Sequence, residues 1–110
     1  MHGTHSALYA GSFDPLTKGH LDVLQRARRI FDKIVLGIGD NPDKPMFFTV
    51  NERVDMSEQL VAEVMESDPA GAPVQVHHYT GLTVEFAQEI GASVILRGIR
   101  NVTDLSTECQ

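Results

Sequence analysis

Four short apolar runs alternate with segments whose apolar residues recur at three- and four-residue steps, and this alternation limits what the chain can become. Residues 7–10, 34–38, 74–78 and 94–96 read as strands. The run Ile34-Val35-Leu36-Gly37-Ile38 is apolar throughout, as a strand covered on both faces must be. Between the first two runs, over residues 19–31, Leu21, Leu24, Ala27 and Phe31 fall on one helical face. Arg26, Arg28, Arg29 and Lys33 come late in that segment, where cations complement a helix's negative end. Thr49 and Glu52 have the spacing of a capping box, which opens a helix burying Val54, Leu60, Val61, Val64 and Met65. Its acidic residues read as a solvated face, and Asp68 to Pro73 stop it. A third helix spans residues 82–90 and ends at Gly91, and another begins near Asp104. The predicted pattern is βαβαβαβ plus part of a helix. Strands separated by helices pair in parallel, which predicts an α/β, Rossmann-like doubly wound sheet. Such sheets bind ligands beyond the carboxyl ends of their strands.

Composition narrows the class. The chain has 110 residues, enough for a single domain (1–110) that buries roughly two-thirds of its unfolded surface. A net charge of −6 argues against a general nucleic-acid partner, which needs a basic face. The single cysteine, Cys109, permits no internal disulfide, reads as a small hydrophobe, and suits the cytoplasm. No apolar run is long enough to span a membrane, and residues 1–6 do not resemble a signal peptide.

Polar clusters follow the strands. After the first comes Gly11-Ser12-Phe13-Asp14-Pro15-Leu16-Thr17-Lys18-Gly19-His20, with hydroxyls at Ser12 and Thr17 and an imidazole at a helix start. Helix N-termini favour phosphate, yet a histidine there serves equally well as a cap or packing group. The segment has neither a dinucleotide fingerprint nor a P-loop. After the second strand, Lys44 sits in a loop restricted by Pro42 and Pro45. After the fourth comes Arg97-Gly98-Ile99-Arg100, whose guanidinium forks match phosphate oxygens. Three of nine cations therefore fall at predicted carboxyl ends of strands in an acidic chain, pointing to an anionic ligand. His77 and His78 cannot both face the core, since neighbours alternate, so one is expected in solvent.

Together these segments resemble the nucleotidyltransferases that carry an [HT]-x-G-H signature. Lys44-Pro45-Met46-Phe47 with Glu52-Arg53, Gly81-Leu82-Thr83-Val84-Glu85-Phe86-Ala87, and Arg97-Gly98-Ile99-Arg100 with Asp104 and Glu108 are similar to the bacterial phosphopantetheine adenylyltransferase family. The resemblance implies transfer of AMP from ATP to 4′-phosphopantetheine, giving dephospho-coenzyme A and pyrophosphate. It implies catalytic roles for His20, Lys44 and Arg100, with His20 stabilising the transition state. It places Ser12, Lys44, Thr83 and Arg97 on phosphopantetheine, and Ser12, Phe13, His20, Gly98, Ile99, Arg100 and Glu108 on ATP. It also implies Mg2+ with the nucleotide, no protein metal site, and a homo-oligomer, a hexamer in that family. Ser12 stands where Thr is commoner, and Leu105-Ser106-Thr107 where the family has Phe-x-Tyr. The family continues into a further strand and an Ile-Ser-Ser-[ST] phosphate-gripping helix. The 110 residues alone are therefore expected to be incomplete at the C-terminal end, weakly active or inactive, and apolar along one edge. Two other readings fit fewer of these residues: a relative acting on another phosphate, and an inactive nucleotide-binding module.

Overall fold

A computed structural model describes residues 5–97. Four parallel strands form one sheet: β1 (Ser6–Gly11), β2 (Lys33–Gly39), β3 (Val74–Tyr79) and β4 (Val94–Leu96). Their order is β3-β2-β1-β4, so β1 lies between the strands that follow it on one side and the last strand on the other. The direction of winding thus reverses at β1 and β4, the kind of switch point where open α/β sheets leave a crevice. Three helices connect the strands: α1 (Lys18–Ala27), α2 (Val50–Ser67) and α3 (Thr83–Ile90).

Alternation along the strands divides the core in two. Tyr9, Ile34, Leu36, Ile38 and Val74 pack with Leu24 and Ala27 of α1 and Val61 of α2. Leu8, Ala10 and Val35 point the other way and pack with Ala87, Phe86 and Ile90 of α3. The doubly wound arrangement expected from the alternating periods is what forms. Gly37 shows how closely the second layer is packed. A Cβ there would lie 2.7 Å from Leu8 Cδ1 and within 3.3 Å of the Tyr79 and Phe86 rings, which stack at 4.6 Å. Leu8 is wholly buried and cannot swing aside. Gly37→Ala is therefore expected to cost about 1–3 kcal/mol, as overpacked cores do. A urea midpoint equal to the parent's would contradict that close contact.

Three expectations need correction. The first helix ends at Ala27 instead of reaching Phe31, because Arg28 is its C-cap and residues 29–31 turn back onto the Arg26 and Ala27 carbonyls. Phe31 still touches the core, which is why its spacing mimics a continuing helix. Nor do the late cations serve their own helix alone. Arg28 is 3% exposed, and its guanidinium donates to Ala72 O (2.7 Å), Asp68 O (2.7 Å) and Val64 O (3.5 Å), at the end of α2. Helix α2 has no basic residue in its last turn, so Arg28 supplies from α1 the cation that those carbonyls lack. Arg29 adds an ion pair with Asp68 at 3.1 Å. Third, His77 and His78 are both exposed, since β3 is a sheet edge among the described strands.

Other boundaries fall within a residue or two of expectation. Thr49 caps α2 through the predicted box, its Oγ1 accepting from Glu52 N and Glu52 Oε1 from Thr49 N. Gly91 ends α3 in a left-handed conformation (φ 71°). On α2, Val61 and Val64 are buried as expected, while Val54, Leu60 and Met65 are only partly so. Two polar residues, Arg53 and Ser57, complete its fully buried stripe.

Candidate phosphate-binding cleft

A cleft of about 700 Å³ opens at the carboxyl ends of the strands. Ser12 follows β1, Lys44 lies in the loop after β2, Thr83 begins α3, and Arg97 follows β4; all four line the cleft. Residues separated by as many as 85 positions thus meet because parallel strands bring all their carboxyl ends to one side of the sheet. Lys44 is exposed in its loop, and so is Arg97. Asp40 is the one carboxylate among the described lining residues. The Thr83 hydroxyl is 2.8 Å from the Tyr79 hydroxyl, and the Tyr79 ring is held against Phe86.

His20 sits outside this lining, in the first turn of α1, and it does what the plainer reading of a helix-start histidine expected. It occupies the third position of a capping box: Thr17 N donates to His20 Nδ1 (2.9 Å), and His20 N donates to Thr17 Oγ1 (3.4 Å). Threonine three residues ahead of histidine was the available signal, since the same spacing with glutamate identifies the box at Thr49. An Nδ1 that accepts leaves the proton of the neutral ring on Nε2, which is then a donor. The imidazole packs edge-on against Phe13 (5.0 Å) and Tyr9 (6.4 Å). Burial lowers its pKa below the ordinary 6.5, which favours the neutral ring. Tyr9 forms the wall behind it, with a buried, unpartnered hydroxyl whose pKa is pushed up to about 12 by desolvation.

This lowered pKa has a consequence for stability. The unfolded chain binds the His20 proton more readily than the folded one, so the contribution is complete above pH 6.5 and is lost as pH falls through the folded-state value. Protonation also converts Nδ1 into a donor facing the Thr17 N–H, which opens the capping box. The acid slope of the unfolding midpoint is expected to be shallower in His20→Gln, which keeps an acceptor at the third position and removes the titration. Superimposable pH profiles for the two proteins would exclude the effect.

Phe13 does not present its ring to the cleft. Its backbone is left-handed (φ 48°), the side chain is 3% exposed, and the ring packs on Tyr9, His20 and the Gly11 backbone. Only its main chain could meet a nucleotide. Gly98, Ile99, Arg100 and Glu108, with the helix expected near Asp104, lie outside the described residues. Residues that sequence reasoning left without a role hold the loops. Asp14 accepts from Phe47 N (2.6 Å) and Phe48 N (2.8 Å). Arg53, 2% exposed, donates to Ser12 O (2.9 Å), Gly39 O (3.0 Å) and Phe48 O (3.2 Å).

Fold and cleft together define an α/β nucleotidyltransferase-type domain with hydroxyl and cationic groups converging at the sheet's switch point. The chain belongs to the cytidylyltransferase-like family, whose model matches residues 8–110. It is 41% identical over 104 residues to the phosphopantetheine adenylyltransferase of Clostridium kluyveri, covering 94% of this chain and 59% of that protein. The phosphopantetheine adenylyltransferase of Cereibacter sphaeroides is 44% identical over 103 residues, covering 94% and 62%. That of Desulfatibacillum aliphaticivorans is 41% identical over 105 residues, covering 96% and 56%. The chain thus spans less than two-thirds of the length of these curated relatives.

Proposed function

We propose that the protein carrying this chain transfers the adenylyl group of ATP to 4′-phosphopantetheine. A phosphate oxygen of phosphopantetheine attacks the α-phosphorus, the bond to the α–β bridging oxygen breaks, and pyrophosphate leaves with that oxygen. The attacking phosphate is already ionised at neutral pH, so no general base is needed. Holding two polyanions in line against their repulsion, and stabilising charge on the α-phosphate, is the work left to the protein. Lys44 and Arg97 offset the repulsion, Ser12 and Thr83 donate hydroxyls, and neutral His20 donates from Nε2 to the α-phosphate. Arg100 and Glu108 are assigned to the ATP side, with the main chains of Phe13, Gly98 and Ile99.

The observation that carries this reading is the meeting of Ser12, Lys44, Thr83 and Arg97 in one cleft. The names of the relatives supply the choice of substrates. Among the described residues, no cluster of three or more His, Cys, Asp or Glu could cage a metal. Mg2+ would arrive on the nucleotide's own oxygens, and Asp40, the carboxylate among the described lining residues, could accept from its waters. Bound there, the ion would neutralise phosphate charge. A homo-oligomer in the cytoplasm completes the proposal. Exposed Phe47, Leu82, Val84 and Val94 are apolar surface that self-association would cover, and among the described residues no helix is long and apolar enough to cross a membrane.

Calorimetric titration with each substrate, followed by mass detection of dephospho-coenzyme A, tests the function. Lys44→Met and Arg97→Met should weaken phosphopantetheine binding. Failure of the protein to bind phosphopantetheine would reject the proposal, and turnover with CTP in place of ATP would redirect it to cytidylyl transfer.

A further inference from the structure

The two cleft loops that carry Ser12 and Lys44 are tied to each other by charged side chains facing opposite ways. Asp14 comes from the loop after β1 and takes the Phe47 and Phe48 amides of the loop after β2. Arg53 comes from α2 and reaches back to the Ser12 carbonyl of the first loop, the Gly39 carbonyl ending β2, and the Phe48 carbonyl. Neither of the two ion pairs among the described residues involves Arg53, so its buried charge meets carbonyl dipoles. A buried guanidinium costs desolvation energy that two or three neutral acceptors offset only in part. An apolar side chain would fill the same stripe of α2 more cheaply if packing were its whole purpose.

We infer that Asp14 and Arg53 act as a reciprocal clamp, positioning residues that set the separation and register of Ser12 and Lys44 so that one phosphate meets both. Neither lines the cleft. Arg53 acts through the main chain of Ser12, and Asp14 through the two amides that anchor the far end of the Lys44 loop. The geometry requires a fork: one Nη1 serves both Ser12 O and Gly39 O while Nε serves Phe48 O. Lysine carries the same charge on a single compact donor group and cannot span that set. Asn at position 14 would turn an amino group toward a backbone N–H. The inference rests on the adenylyl-transfer reading for its ligand but not for the clamp itself.

Arg53→Lys and Asp14→Asn can be compared with the parent by titration with 4′-phosphopantetheine well below the unfolding midpoint, and by hydrogen exchange at the Phe47 and Phe48 amides without ligand. Folded variants should bind the ligand about tenfold more weakly or worse, and those amides should exchange faster, the order expected when charge-assisted hydrogen bonds are lost. The double variant should bind no worse than the weaker single variant, because both changes release the same loops. Unchanged affinity in both folded variants overturns the clamp, whereas a purely structural role would lower only the midpoint. If Arg53→Lys does not fold, Asp14→Asn decides alone. If the parent itself does not bind phosphopantetheine, the proposed function fails, and the exchange rates decide the clamp: parent-like protection of Phe47 and Phe48 overturns it.

Discussion

Replacing Arg28 with methionine should lower the stability of this domain by about 2–3 kcal/mol, the loss of a charge-assisted donor to buried carbonyls less the relieved desolvation of the guanidinium. The long side chain would still fill most of the space, so the loss isolates the guanidinium. Ala72 O would lose its donor, whereas Val64 O keeps Asp68 N and the Ser67 hydroxyl and Asp68 O keeps Gly71 N. Buried acceptors stripped of a partner each cost about 1–3 kcal/mol. In a domain near this size each kcal/mol moves the melting point by about 4–8 °C, so the midpoint should drop on the order of ten degrees. Arg28→Lys should recover only part, since one ammonium cannot meet all three carbonyls at once. Calorimetric melting of the two variants checks this; a drop of about 1 kcal/mol or less would show that solvent reaches those carbonyls.

His20→Gln should lower turnover by about 10²–10³, the loss seen when one preorganised donor to a developing charge is removed. Glutamine is the informative substitution because the imidazole has two tasks on two nitrogens. Nδ1 holds the capping box with Thr17, and Nε2 is the donor proposed for the α-phosphate. Glutamine at the third position of a box can still accept from the Thr17 amide, so the helix start survives. Alanine would remove both functions and add about 0.5–2 kcal/mol of lost capping, blurring the result. Turnover should be measured in the smallest form of the protein that is active. A kcat near the parent's would reject the role given to Nε2, and a large fall in melting point for His20→Gln would show that the box tolerates only imidazole.

The convergence of Ser12, Lys44 and Arg97 on one cleft was legible because each contributing segment carries its own local signal. Lys44 stands between prolines, Arg97 directly follows an apolar run, and Ser12 opens a loop of turn-forming residues. Each marks the end of a strand, and parallel pairing puts those ends together without further information. Asp14, Arg28 and Arg53 carried no such signal. Their partners are backbone groups 34, 44 and 41 positions away, and a main-chain carbonyl or amide looks the same at every position of a sequence. Arg28 was legible as a cation near a helix end but not as belonging to a different helix's end.

Alternating hydrophobic periods determined the parallel α/β sheet, since a chain with these short apolar runs and amphipathic helices has few other ways to remove both strand faces from water. The capping box at Thr49, the stop at Gly91 and the end of the sheet at which the cleft opens came with them. Only the tertiary structure decided which buried charges hold the loops, where α1 stops, and that the His20 imidazole serves the cap of its own helix. Those outcomes depend on distances between backbone groups brought together by folding, and no local pattern of side chains encodes such distances.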